Sequence, residues 1–132
     1  MDQDIRWKQR FENLTKALDR FNEALDAVKK EPDNHLYQMA LACGFQFTFE
    51  LCWKTMKDYL VQNGVDTSLP RDVIKQAFHH ELIQNGQIWI DMLEDRNRMN
   101  VYQEQTAQVA TKRICEHYGS AINGLYTDFL KK

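Results

Sequence analysis

The chain predicts an all-α fold, an elongated antiparallel bundle of four to five helices, and three observations carry that expectation. Five glycines and two prolines in 132 residues leave few places to turn. Apolar residues recur at intervals of three and four over long stretches, the period of one helix face. No stretch survives as a strand candidate, and there is no internal repeat or low-complexity segment.

In the first segment Trp7, Phe11, Leu14, Leu18, Phe21, Leu25 and Val28 are spaced 4, 3, 4, 3, 4, 3, which predicts one long helix. It ends where Glu31 precedes Pro32, because the proline ring disfavours helical geometry in the residue before it. Asp33 or Asn34 can cap the next helix, expected from about His35 to Gln62. That helix carries two apolar stripes, Leu36-Ala40-Cys43-Phe47-Leu51 and Phe45-Phe49-Cys52-Met56-Leu60, and is expected to be the most buried. Gly64 supplies its stop, and Asp66 to Pro70 leads into a short helix reaching about Ile83, with Pro70 in its first turn. Asn85-Gly86 supplies a turn before Ile88, Trp89, Met92 and Leu93 resume the helical pattern. After a break near Asn100, Ala107, Ala110, Ile114, Tyr118, Ala121, Leu125 and Phe129 describe a last long helix.

The length suits one domain over residues 1–132, with enough apolar residues, 43%, to bury a core. A formal charge of −2, from 17 basic and 19 acidic residues, excludes the polybasic signature of a nonspecific nucleic-acid binder and the composition of a disordered chain. No apolar run approaches the ~18 residues of a membrane helix, and Met1 leads into polar Asp2-Gln3-Asp4. The expectation is a soluble, cytoplasmic protein without a membrane partner. Cys43, Cys52 and Cys115 lack zinc-site spacing and read as buried free thiols. A helix of some 27 residues is ~40 Å long, whereas a compact globule of this size has a radius of gyration of ~14 Å, so three such rods make an elongated bundle. Such rods leave more apolar stripe than one chain covers, which favours a homodimer.

Chemistry concentrates between Asp91 and Tyr102. Arg96 offers a planar fork of donors suited to phosphate, Asn97 an adjustable amide, and Tyr102 a phenolic hydroxyl. The bland alternative is a solvated helix end in which Arg98 pairs with Glu94 or Asp95. Glu50, inside the aromatic run Phe45-Phe47-Phe49-Trp53, is a second oddity, since a carboxylate on an apolar face must be paired or hydrogen-bonded. It either reaches the rim, with Gln46 and Lys54 as local partners, or buttresses Arg96 across the bundle. His79-His80 read as surface or helix-cap residues, because neighbours on a helix point about 100° apart. His117 reads as a half-buried histidine. No Glu-x-x-His pair occurs, so a di-metal carboxylate site is disfavoured and neither metal nor cofactor is expected.

Three blocks in order, Phe45 to Leu60, Pro70 to Phe78 and Trp89 to Asn97, resemble the nucleotidyltransferase substrate-binding proteins of the HEPN superfamily, which includes HepT-like toxins. The resemblance runs from about residue 7 to 130. It implies an antiparallel helical bundle that dimerises and pairs with a separately encoded minimal nucleotidyltransferase. In toxin-like members an Arg, a polar residue and a His form a metal-independent ribonuclease site at the dimer interface. A Tyr two positions after the His can receive AMP from the partner. Arg96, Asn97 and Tyr102 match three of these positions, with Glu50 and Asp95 as supporting residues.

The match fails at the histidine. The family reads Arg-Asn, three residues, His, one residue, Tyr, whereas this chain reads Arg96-Asn97-Arg98-Met99-Asn100-Val101-Tyr102, one residue short and with Asn100 near the histidine's place. An amide neither takes nor returns a proton at accessible pH, and losing a general acid or base costs about 10² to 10⁴ in rate. The expectation is therefore a non-catalytic or weakly catalytic subunit that binds the nucleotidyltransferase and accepts AMP at Tyr102. The alternative is an active ribonuclease, with RNA as substrate, using Arg96 and a substitute proton carrier.

Overall fold

The computed structural model describes residues 2–99 and 104–132, with side chains over 6–99 and 108–132. Within these the chain is helical and contains no strand. Helix α1 spans Asp2–Lys30 and α2 spans His35–Gln62. The two run antiparallel: at one end Arg10 Nε donates to Asp58 at 2.7 Å, and at the other Gln38 Nε2 donates to the Pro32 carbonyl at 2.6 Å. Asn34 caps α2, accepting from the Tyr37 amide at 3.1 Å.

Helix α3, Pro70–His79, is shorter than its sequence pattern, which runs on to Ile83. The reason is a left-handed residue: Glu81 sits at φ 62°, and the Leu82 amide turns back to the Ala77 carbonyl at 2.8 Å. This closure buries Leu82 and Ile83 as loop residues. The same closure ends α2, where glycine occupies the left-handed position, Gly64 at φ 86°, and the Val65 amide reaches the Leu60 carbonyl at 2.9 Å. His80 is the C-cap of α3 and His79 lies in its last turn.

Helix α4, Gly86–Arg98, is capped by Asn85, which accepts from the Ile88 amide at 3.1 Å. The last rod comprises α5, Glu104–Arg113, a π-helical turn at Ile114–Tyr118, and α6, Gly119–Leu130. Successive spacings of four overshoot the 3.6-residue turn, so a straight α-helix would carry the stripe Ala110-Ile114-Tyr118 off the core. The wider π-turn corrects the drift and keeps Ile114 and Tyr118 buried. His117, on the outer side of that turn, is exposed rather than half-buried and lies 3.9 Å from Glu116. The rod lies antiparallel to α1: Phe11 stacks on Phe129, Thr15 Oγ1 lies 3.2 Å from the Tyr126 hydroxyl, and Asn22 and Asn123 exchange amide hydrogen bonds at 3.0 Å.

The inner face of α2, Leu41, Phe45, Phe49, Cys52, Met56 and Leu60, forms the centre of the core. Phe45 stacks on Tyr118 and Phe49 on Trp89, joining α2 to the π-turn and α4. The other predicted stripe is covered only at Leu51, which packs against the core: Leu36 is 75% and Phe47 71% exposed, and Ala40 and Cys43 between them are also open. Cys43 is thus not a buried thiol, and Cys115 is only partly covered, while Cys52 is buried. Burial drives the Cys52 thiol far above its ordinary pKa, making it chemically inert. No described helix is long and apolar enough to cross a membrane.

Candidate functional site at the end of α4

The last turn of α4 points Asp95 and Arg96 about 100° apart, toward different neighbouring helices. Asp95 falls three residues after Met92 and seven after Ile88, on the helix's apolar stripe, and is 9% exposed. A carboxylate there needs partners, and the final rod supplies two. Arg113 Nη1 donates to both carboxylate oxygens, at 2.7 and 2.8 Å, and the Tyr118 hydroxyl donates to Oδ2. Arg98 Nη2 adds a longer contact at 3.5 Å. Burial raises the Tyr118 phenol well above its ordinary pKa, and the bond to Asp95 raises it further, so Tyr118 stays protonated as the donor. The hydrogen bond to Asp95 likewise raises the pKa of Arg113.

Arg96 projects toward α2, where its Nη2 donates to Glu50 Oε2. Glu50 also accepts from Trp53 Nε1 at 3.1 Å, and Lys54 Nζ lies 3.2 Å from Oε1. Partial burial alone would raise the Glu50 carboxyl. The hydrogen bonds from Trp53 and Lys54 and the charges of Arg96 and Lys54 outweigh it, holding Glu50 below its ordinary pKa and ionised at neutral pH. The Glu50 and Arg96 side chains remain 27% and 30% exposed. The guanidinium is therefore oriented by an anion while the side chain stays partly exposed, and Asn97 Oδ1 lies 3.4 Å from its Nη1.

Of the residues singled out from sequence, the structure thus joins Glu50 to Arg96 and sets Asn97 beside them. It places Asp95 in a separate network. Asn100 and Tyr102 lie outside the described residues. The sequence reading missed Arg113 and Tyr118 as partners of Asp95, having taken Tyr118 for a stripe residue. The signal was available: Asp95, like Glu50, is an acid at an apolar-face position.

A groove of about 820 Å³ opens on the Asp95 flank, with Asp91, Arg98, Arg113 and His117 among its lining residues. Acids and bases are mixed along it. Among the described residues no group of three His, Cys, Asp or Glu side chains could hold a metal ion.

The fold is similar to that of a solved structure from Thermus thermophilus, with a TM-score of 0.69 and 23% identity, over 85% of this chain and 99% of that one. At that identity the likeness speaks for the fold. No curated protein matches the chain. The family described as nucleotidyltransferase substrate binding protein like matches residues 9–131, which take in all three sequence blocks, Glu50 and the whole end of α4. The chain belongs to the nucleotidyltransferase substrate-binding protein-like family.

Proposed function

We propose that this chain is the binding subunit of a HEPN-type, toxin–antitoxin-like pair, engaging a separately encoded minimal nucleotidyltransferase through the end of α4 and accepting AMP from it at Tyr102. The observation that carries this reading is the Glu50–Arg96 pair, an oriented and partly exposed arginine six residues before a tyrosine. Arg96 meets either acidic groups of the partner or the phosphates of its nucleotide. In the transfer, the Tyr102 phenol oxygen attacks the α-phosphorus of ATP, a new O–P bond forms, pyrophosphate leaves, and the phenol proton passes to solvent or to a base on the partner.

Coexpression with a minimal nucleotidyltransferase and ATP tests this. The expected outcome is a stable complex and one added AMP by intact-mass spectrometry, lost in Tyr102→Phe. No complex and no added mass across several such partners would overturn it.

The ribonuclease reading needs a proton carrier beside Arg96. His117 lines the groove on the Asp95 flank, together with Asp95, Arg98 and Arg113 rather than Arg96. The binding role is therefore favoured. Growth arrest on induction, abolished by Arg96→Ala, would reverse the preference.

A further inference from the structure

A second cavity, of about 540 Å³, lies between α5 and the π-turn on one side and the end of α1 and the start of α2 on the other. That volume is in the range of small-molecule sites. Thr111, on its wall, is 7% exposed, and its hydroxyl makes no hydrogen bond. Other helical threonines behave differently: Thr15, Thr55 and Thr127 each donate to the carbonyl one turn back, at 3.0, 2.7 and 3.0 Å. Thr48 is unbonded too, but it does not line this cavity. A buried hydroxyl without a partner is destabilising, and valine would fill the same space without that cost. At the wall of a cavity the group has a use. Threonine has two rotamers in a helix, and exchanging Oγ1 for Cγ2 turns a donor and acceptor toward whatever fills the space.

Gln38 is the other buried polar residue at the cavity. One N–H of its amide is spent on the Pro32 carbonyl. The second N–H and the amide oxygen form an adjacent donor and acceptor, the pair with which a glutamine reads an adenine edge. Val28, Pro32 and Cys115 give apolar walls for the faces of a flat ring.

The rim is charged. Lys29, in the last turn of α1, and Lys112, on α5, come from the two sides of the cavity, and among the described residues neither makes an ion pair. Burial raises the Cys115 thiol and the Lys29 charge opposes it, so the ammonium lies on the cavity side of its helix. Both ammonium groups suit a phosphate. Asp33 and Glu116, also on the rim, are acceptors for sugar hydroxyls. Two lysines against two carboxylates leave no net charge, which suits one phosphate better than a polyphosphate chain.

We infer that this cavity is a binding site for adenosine monophosphate, the base held by Gln38 and Thr111 and the phosphate by Lys29 and Lys112. The site is separate from Arg96. Its test uses the chain alone, without a nucleotidyltransferase, so this inference and the proposed function fail separately.

Titration calorimetry of the purified chain with AMP is compared with GMP, adenosine and inorganic phosphate. AMP is expected to bind, and each of the others to bind about tenfold more weakly or worse. Thr111→Val gives the sharpest contrast. A mere packing flaw would leave binding unchanged on conversion to valine, whereas a ligand contact predicts a loss of about fivefold or more in AMP affinity with melting equal to or above that of wild type. Lys112→Glu, at an exposed position, is expected to weaken AMP by about fivefold and leave adenosine unaffected. No AMP binding to the wild type at millimolar concentration would overturn the inference, as would equal AMP affinity in Thr111→Val. Inorganic phosphate or GMP binding as tightly as AMP would overturn it as well, since neither Gln38 nor Thr111 would then be reading an adenine.

Discussion

Asp95 and Arg96 are adjacent in the chain and opposite in circumstance. Asp95 is closed off and held by groups from another rod, Arg113 and Tyr118, so its hydrogen bonds hold α4 to the end of α5 and to the π-turn. Arg96 is held from one side by Glu50 and left open on the other. The difference teaches that charge in a helix end divides by face. A charge that falls on the apolar stripe becomes structure, and one at its margin, backed by a counter-ion, keeps part of its side chain in solvent.

The largest expected effect is on the structural side. Asp95→Ala leaves the buried Tyr118 hydroxyl without its acceptor, and urea unfolding should show a loss of about 2–3 kcal/mol. A loss below ~0.5 kcal/mol would remove the contrast between the two residues. Tyr118→Phe deletes the donor and keeps the ring against Phe45, so about 1–2 kcal/mol is expected by the same measurement. Arg96→Ala should cost at most about 1 kcal/mol, since both partners are partly hydrated, and Glu50 retains Trp53 and Lys54.

The pH dependence separates the two networks further. Because the folded Glu50 carboxyl lies below its ordinary value of 4.5, its contribution is present above that pH and is lost as the pH falls through the lowered folded value. Tyr118 lies above its ordinary value of 10, so its contribution is intact below pH 10 and is lost as the pH rises beyond it. Glu50→Gln should therefore flatten the acid limb of the stability profile slightly, and Tyr118→Phe the alkaline limb. Identical acid limbs for Glu50→Gln and wild type would show that the carboxylate is not held as described.

The rods and their inner faces were legible in the sequence because helical periodicity is a local signal summed over many residues. Where α3 ends was not: an apolar pattern through Leu82 and Ile83 hides a left-handed glutamate, and no residue type announces it as Gly64 does for α2. Periodicity also could not tell which stripe of α2 is covered, since exposure depends on where the other rods lie. The alternative of Glu50 as a buttress for Arg96 could be framed because an acid among aromatics requires an explanation. The same rule applied to Asp95 would have pointed to a buried network, although its partners come from a distant rod and carry no local mark.

The most direct test of the central claim is the affinity of Arg96→Ala for a nucleotidyltransferase that the wild-type chain binds, measured by titration calorimetry alongside melting. A loss of tenfold or more, about 1.4 kcal/mol, with the fold intact is predicted. Equal affinity in the two proteins would contradict the claim that this guanidinium is offered to the partner.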